Sequence, residues 1–269
     1  MSAPFVVTEL VEPSYLWLAC LLVALAWAVI SATRLGLDSR VVYWTGVAGI
    51  ALGLLGSHLL GLVVYDSDGL SWWRVWVGGK AWYGGLIGGA LGALVVLRLS
   101  GRPVLRYADA IAPAVMLGYA IGRIGCFFHG DDYGTPTSLP WAIRYGADTE
   151  ALDGQVAQRL IDPQAALTVP IHPTQLYHSL FGLVLFVILS RIPAEPPGRR
   201  LGFLAAGYGI GRFFLEWVRG DFSPLALGLS LQQWISVGLI AIGAAILAGV
   251  TRARTAPGDA AVALAARAR

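Results

Sequence analysis

Seven apolar runs, each about as long as a membrane is thick, constrain this chain more than any other feature of it. A hydrocarbon core about 30 Å thick takes roughly 20 helical residues to cross. Such runs fall near 14–33, 41–65, 83–99, 107–128, 173–191, 201–219 and 230–250. Composition agrees: 57% of the residues are hydrophobic and 13% charged, against about 25% charged in a soluble domain. The expected fold is all-α, an integral membrane protein of about seven transmembrane helices in one polytopic domain over residues 1–250.

Gly, at 34 residues, suits helices that approach closely in lipid, and ten Trp with ten Tyr suit the headgroup level. A net charge of +3 without a basic, aromatic-interleaved cluster excludes nucleic acid as the expected partner. Cys20 and Cys126 make neither a disulfide framework nor paired metal-ligand spacing, so neither metal nor cofactor is expected. Glu9 and Glu12, without Lys or Arg, precede the first run, which is therefore expected to stay as a helix rather than be cleaved as a signal.

Loop charges set the orientation, because cytoplasmic loops collect Lys and Arg. Arg34 and Arg40, then Arg98, Arg102 and Arg106, then Arg191, Arg199 and Arg200, and last Arg252 and Arg254 follow the odd-numbered runs. Segment 129–172 is net acidic, with Asp131, Asp132, Asp148, Glu150, Asp153 and Asp162 against Arg144 and Arg159. The pattern puts the N-terminus outside, the C-terminus in the cytoplasm, and 129–172 as a small extracytoplasmic head. Residues 251–269 form a cytoplasmic tail, disordered or a short surface helix.

Ionisable residues inside apolar helices are costly and by default mark function. Tyr208, Arg212 and Glu216 recur at i, i+4 and i+8 in the sixth run and so share a helix face. They read either as a self-neutralising packing pair or as an Arg held by Glu and offered to an anionic headgroup, a task for which guanidinium is better shaped than ammonium. Arg123 stands one turn inside the fourth run, followed by Cys126, His129, Asp131 and Asp132. His172-Pro-Thr-Gln175-Leu-Tyr177-His178 opens the fifth run; capping explains Pro173 but not His172 or Gln175. Tyr83-Gly84-Gly85 opens the third, and a glycine face of this kind also serves helix packing.

Together these segments resemble the prolipoprotein diacylglyceryl transferase family. The resemblance rests on Tyr83-Gly-Gly-Leu-Ile-Gly, on Gly122-Arg123-Ile-Gly with Gly130-Asp-Asp-Tyr-Gly134, on His172-Pro-Thr-Gln-Leu-Tyr177, and on Tyr208-x3-Arg212-Phe-x2-Glu216, with Pro140-Trp141-Ala142 between. It covers about residues 40–250. It implies a transferase of the bacterial cytoplasmic (inner) membrane that moves diacylglyceryl from phosphatidylglycerol, a membrane lipid, to the lipobox cysteine of a prolipoprotein signal peptide. It further implies that Arg123 and Arg212 hold phosphate, Glu216 orients Arg212 and Tyr208 lines the site. Asp131, Gly134, Gln175, Cys126, Gly84 and Gly85 are placed with the substrate.

The chain departs from the family pattern where that pattern has His-Gly-Gly: here it reads Tyr83-Gly84-Gly85. Cys126 replaces an Asn, Asp131 a Glu, and Gly56-Ser57-His58 stands where the family shows a glycine and an arginine. The base is thus open among His129, His172, His58, Asp131 and Tyr83, with His129 and His172 favoured by their place at the membrane surface. Two other readings also stay open: transfer of a phospholipid-derived group to another acceptor, and lipid binding without catalysis.

Overall fold

The computed structural model describes residues 5–7, 13–64 and 82–255. Its long helices are α1 (Pro13–Arg34), α2 (Ser39–Val64), α3 (Trp82–Leu99), α4 (Val104–His129), α6 (Thr174–Arg191), α7 (Arg199–Leu215) and α8 (Leu231–Thr255). A short α5 (Glu150–Ala157) lies between α4 and α6. The expected tail beyond Thr255, and the link between α2 and α3, lie outside the described residues. Helices α1, α2, α4, α6 and α8 are long and apolar enough to cross a membrane; α3 is apolar but shorter. The protein is a mostly helical membrane protein.

Small residues bring the helices together. Helices α2 and α3 run antiparallel, Gly56 against Gly84 and Gly49 against Gly89. A Cβ on Gly84 would lie 2.1 Å from the Gly56 carbonyl oxygen, so backbone meets backbone there. Helix α1 lies antiparallel along α4, with Cys20 beside Gly122 and Trp17 beside Gly125. The other flank of α4 takes α6, where Gly182 sits on Ala120 and Ser179 Oγ donates to the Ala120 carbonyl at 2.8 Å. Helix α7 packs on α8 through Gly202, Gly209 and Gly243. In lipid such close contact replaces the hydrophobic drive that packs soluble helices.

Between α4 and α6 the chain folds into a cap of its own. Strand β1 (Phe5–Val7) pairs in parallel with β2 (Ile143–Tyr145), and α5 starts at Thr149, whose side chain accepts from the Leu152 N–H. Val7, Phe127, Tyr133, Ile143, Tyr145, Ala151 and Ile171 form its core. Tyr145 is fully buried, and its hydroxyl donates to the Phe127 carbonyl at 2.7 Å, which ties the cap to the end of α4.

The sixth apolar run, expected to reach 219, is helical only to Leu215 and continues as a 3-10 turn over Glu216–Val218. A short hairpin, β3 (Pro224–Ala226) with β4 (Leu229–Ser230), then leads into α8. The polar groups at Glu216, Arg219 and Ser230 explain the early stop: they are committed to side-chain bonds with one another rather than to a continuing apolar helix.

Candidate active site

The site is assembled where α4, α7 and the cap meet. Gly130 ends α4 in the left-handed conformation that favours glycine, and Asp132 follows with φ of 53°, a region Asp tolerates better than most residues. The Thr174 hydroxyl donates to the Asp132 carbonyl at 2.7 Å and the Gln175 amide to the Asp131 carbonyl at 2.6 Å. The first turn of α6 thereby fixes the acidic loop.

Asp132 is the hub. Arg123 from α4 pairs with its Oδ2 and Arg219, just beyond the 3-10 turn, with its Oδ1. Arg219 Nε also donates to Asp221 at 2.8 Å and stands 3.8 Å from Glu216 Oε2. Glu216 in turn pairs with Arg212, and its other oxygen accepts from the Ser230 hydroxyl at 2.8 Å. Arg123 and Arg212 are each 8% exposed and Arg219 5%, so all three charges are held inside the protein rather than in lipid. Isolated, each would cost several kcal/mol there; paired and hydrogen-bonded, they persist.

Electrostatics separates the two adjacent aspartates. Burial opposes ionisation of Asp132, but Arg123 and Arg219 outweigh it and hold its carboxyl well below the usual range. Burial raises the pKa of Asp131, and the neighbouring Asp132 charge raises it further. Asp131 Oδ1 is buried without a hydrogen-bond partner among the described residues.

A family model described as prolipoprotein diacylglyceryl transferase matches residues 14–249 of this chain. The chain belongs to the prolipoprotein diacylglyceryl transferase family. A protein of Methylibium petroleiphilum is 36% identical over 248 residues, covering 86% of this chain and 85% of its own. One of Leifsonia xyli is 30% identical over 258 residues, covering 91% and 75%. One of Cupriavidus metallidurans is 36% identical over 224 residues, covering 78% and 74%. All three carry the name phosphatidylglycerol–prolipoprotein diacylglyceryl transferase.

Among the residues that the family resemblance singled out, Arg123, Arg212 and Glu216 meet in this network, and Asp131 lies beside it, within electrostatic reach of Asp132 and Arg123. Tyr208 packs edge-to-face on Tyr119, whose ring lies under the Arg123 guanidinium at 5.0 Å. Tyr83 lies within electrostatic reach of Arg212, Glu216, Arg219 and Asp132. Cys126 is part-buried, its Sγ within 4.8 Å of carboxylate oxygens of Asp131 and Asp132.

Several expected substrate contacts are placed differently. Gly84 and Gly85 face α2, Gly84 against the Gly56 carbonyl and Gly85 against Ser57. Gly134 is required by the chain crossing it, since a Cβ there would fall 2.3 Å from the His172 carbonyl oxygen. Gln175 is fully buried and holds the Asp131 backbone. Neither favoured imidazole makes an ion pair or hydrogen bond with the arginines among the described residues, although His129 is within electrostatic reach of Asp131. His129 is exposed, edge-on to Trp17. Burial lowers the pKa of His172, whose Nδ1 is 3.2 Å from the Tyr177 hydroxyl, itself accepting from Trp141 Nε1 at 2.7 Å.

Three residues of the site carried little sequence signal. Arg219 ends an apolar run, where a charge looks like an ordinary flank. Ser230 has no motif around it. His178 shares a face with Thr174 at i+4, a spacing that marks it as inward-facing; it is fully buried, with Nδ1 2.8 Å from the Tyr119 hydroxyl.

Proposed function

We propose that this chain transfers the diacylglyceryl group of phosphatidylglycerol to the lipobox cysteine thiol of a prolipoprotein signal peptide. Family membership supports the reaction. The observation that supports these residues as its site is the burial of Arg123, Arg212 and Arg219 around Asp132 and Glu216. A guanidinium has five donors, and the carboxylate bonds use only part of that capacity in Arg123 and Arg212. The remaining donors suit phosphate oxygens.

In the reaction the thiolate sulfur attacks the glycerol carbon bonded to the phosphate oxygen. A C–S bond forms, the C–O bond breaks, and glycerol phosphate leaves with the electron pair. Arg123 and Arg212 stabilise that developing charge, as preorganised donors in a water-poor site do well. Glu216 and Ser230 fix Arg212, while Arg219 and Asp132 fix Arg123. Asp131 takes the thiol proton: its raised pKa makes it a stronger base than an ordinary aspartate. Tyr83 lines the same site as a hydroxyl donor rather than as a base, and Tyr208 packs the wall behind Arg123.

In this reading α3 and α7 cross the bacterial inner membrane with the other five long helices, giving seven spans. The N-terminus and the cap lie outside and the C-terminus lies in the cytoplasm, in line with the Arg-rich loops. Purified protein incubated with phosphatidylglycerol labelled in its diacylglyceryl part and a lipobox peptide tests the function. Label on the peptide thiol is expected; label confined to lipid contradicts the assignment.

A further inference from the structure

A second polar site lies towards the opposite end of the bundle. Trp27, Ser31, Arg34 and Leu35 from α1, Pro113 from α4, Ser190 from α6 and Arg200 from α7 line a cavity of about 90 Å³. Pro113 precedes Arg123 by ten residues of α4, which places the cavity roughly 15 Å from the catalytic arginine along the helix. The mechanism above uses none of these residues.

The wall is cationic and its donors are only partly committed. Arg200 is 9% exposed and gives its Nε to the Ile192 carbonyl at 2.7 Å. Its two terminal nitrogens have no hydrogen-bond partner among the described residues. Asp109 lies within electrostatic reach of Arg200, yet both its oxygens accept from the N-terminus of α7, from Gly198 N at 2.7 Å and Leu201 N at 2.8 Å. Arg34 lies over the Trp27 ring at 5.5 Å, and Trp27 is braced by Phe186. The Ser190 hydroxyl is buried and unpartnered among the described residues. Other arginines at this end are already engaged, Arg102 by Asp38 and Arg106 by Glu195.

We propose that this cavity binds a phosphate group, as the headgroup phosphate of an anionic phospholipid or as free phosphate. Two arginines and two serines line a space of phosphate size, Arg34 from its exposed edge, and one carboxylate, spent on capping α7, does not cancel both charges. Basic pockets between membrane helices on the cytoplasmic side take anionic headgroups for the same reason. The site would hold lipid of the leaflet opposite the catalytic one.

The test is native mass spectrometry of the delipidated full-length protein titrated with phosphatidylglycerol or phosphatidylcholine, beside thermal-shift measurements in inorganic phosphate. Wild type is expected to retain one more phosphatidylglycerol than Ser190→Leu or Arg200→Gln, with phosphatidylcholine unaffected. A phosphate-dependent rise in melting temperature that the same variants lose would instead assign the site to free phosphate. Arg200→Gln also loses its bond to Ile192, so Ser190→Leu, which fills the cavity without touching an ion pair, decides the matter. Equal lipid counts together with equal phosphate shifts in all three proteins would overturn the proposal. The variants leave Arg123, Arg212 and Arg219 intact, so this outcome is independent of the transfer assay.

Discussion

Arg219 is ion-paired with Asp132, joining the segment after α7 to the loop after α4, and Arg123 closes on the other oxygen of the same carboxylate. Removing Asp132 leaves the buried Arg123 without an ion-pair partner among the described residues, while Arg219 keeps Asp221. Asp132→Asn is expected to destabilise the protein by about 3–5 kcal/mol, the usual cost of breaking a buried pair from one side. Thermal unfolding in detergent measures it. The pair's contribution is complete above the unfolded aspartate pKa of about 3.9 and is lost as pH falls towards the depressed folded value, so it is intact at neutral pH.

The pH dependence of transfer reports on Asp131. A base must be deprotonated, so the rate should climb with pH through the raised pKa of Asp131 and then level off. In Asp132→Asn the neighbouring negative charge is gone, and the climb should move to lower pH. A profile of kcat/KM against pH for both proteins and for Asp131→Asn checks this. An unshifted profile in Asp132→Asn, or an unchanged one in Asp131→Asn, removes Asp131 from the role.

The glycines of α3 separate packing from substrate contact. Gly84→Ala puts a methyl 2.1 Å from the Gly56 carbonyl oxygen, whereas Gly85→Ala meets its nearest neighbour, Ser57 Cβ, at 3.5 Å. Gly84→Ala is expected to cost about 1–3 kcal/mol or to fail to fold, as overpacking does, and Gly85→Ala to stay near wild type. Melting temperatures of the two single variants decide it.

The polar rim of the cap makes a further distinction. His129 rests on Trp17, and His172 on Tyr177, and neither bonds an arginine among the described residues. His129→Ala and His172→Ala are therefore expected to retain most transfer activity, and Tyr83→Phe to lose more. If either histidine variant is inactive while folded, the base lies at the rim. A Tyr83→His variant of higher activity would show that this chain has given up a proton-handling group that its relatives' pattern keeps.

How much was legible follows from how lipid prices charge. Arg123, Arg212 and Glu216 stood out because a charge inside an apolar run demands a reason, and all three are in the network. Helix ends were legible within a few residues, except where α7 stops early as Glu216 turns towards Ser230 and where α8 runs on to Thr255. Arg219 and His178 were hidden because a charge at the end of a run and a polar residue in a capping motif both have ordinary explanations. Glycine spacing marked a close-approach face on α3, but periodicity does not say whether a helix or a ligand fills it. Which imidazole faces the arginines depends on the cap, whose fold no local pattern encodes.

The most direct test is the rate of diacylglyceryl transfer by Arg212→Lys and Arg123→Lys at saturating phosphatidylglycerol. Lys keeps the charge but loses the planar fork that engages carboxylate and phosphate together. Both variants are expected to fold and to lose kcat by roughly 100-fold or more, the usual effect of removing one donor from a developing oxyanion. Near-wild-type kcat in both would contradict the assignment of these arginines to the leaving phosphate.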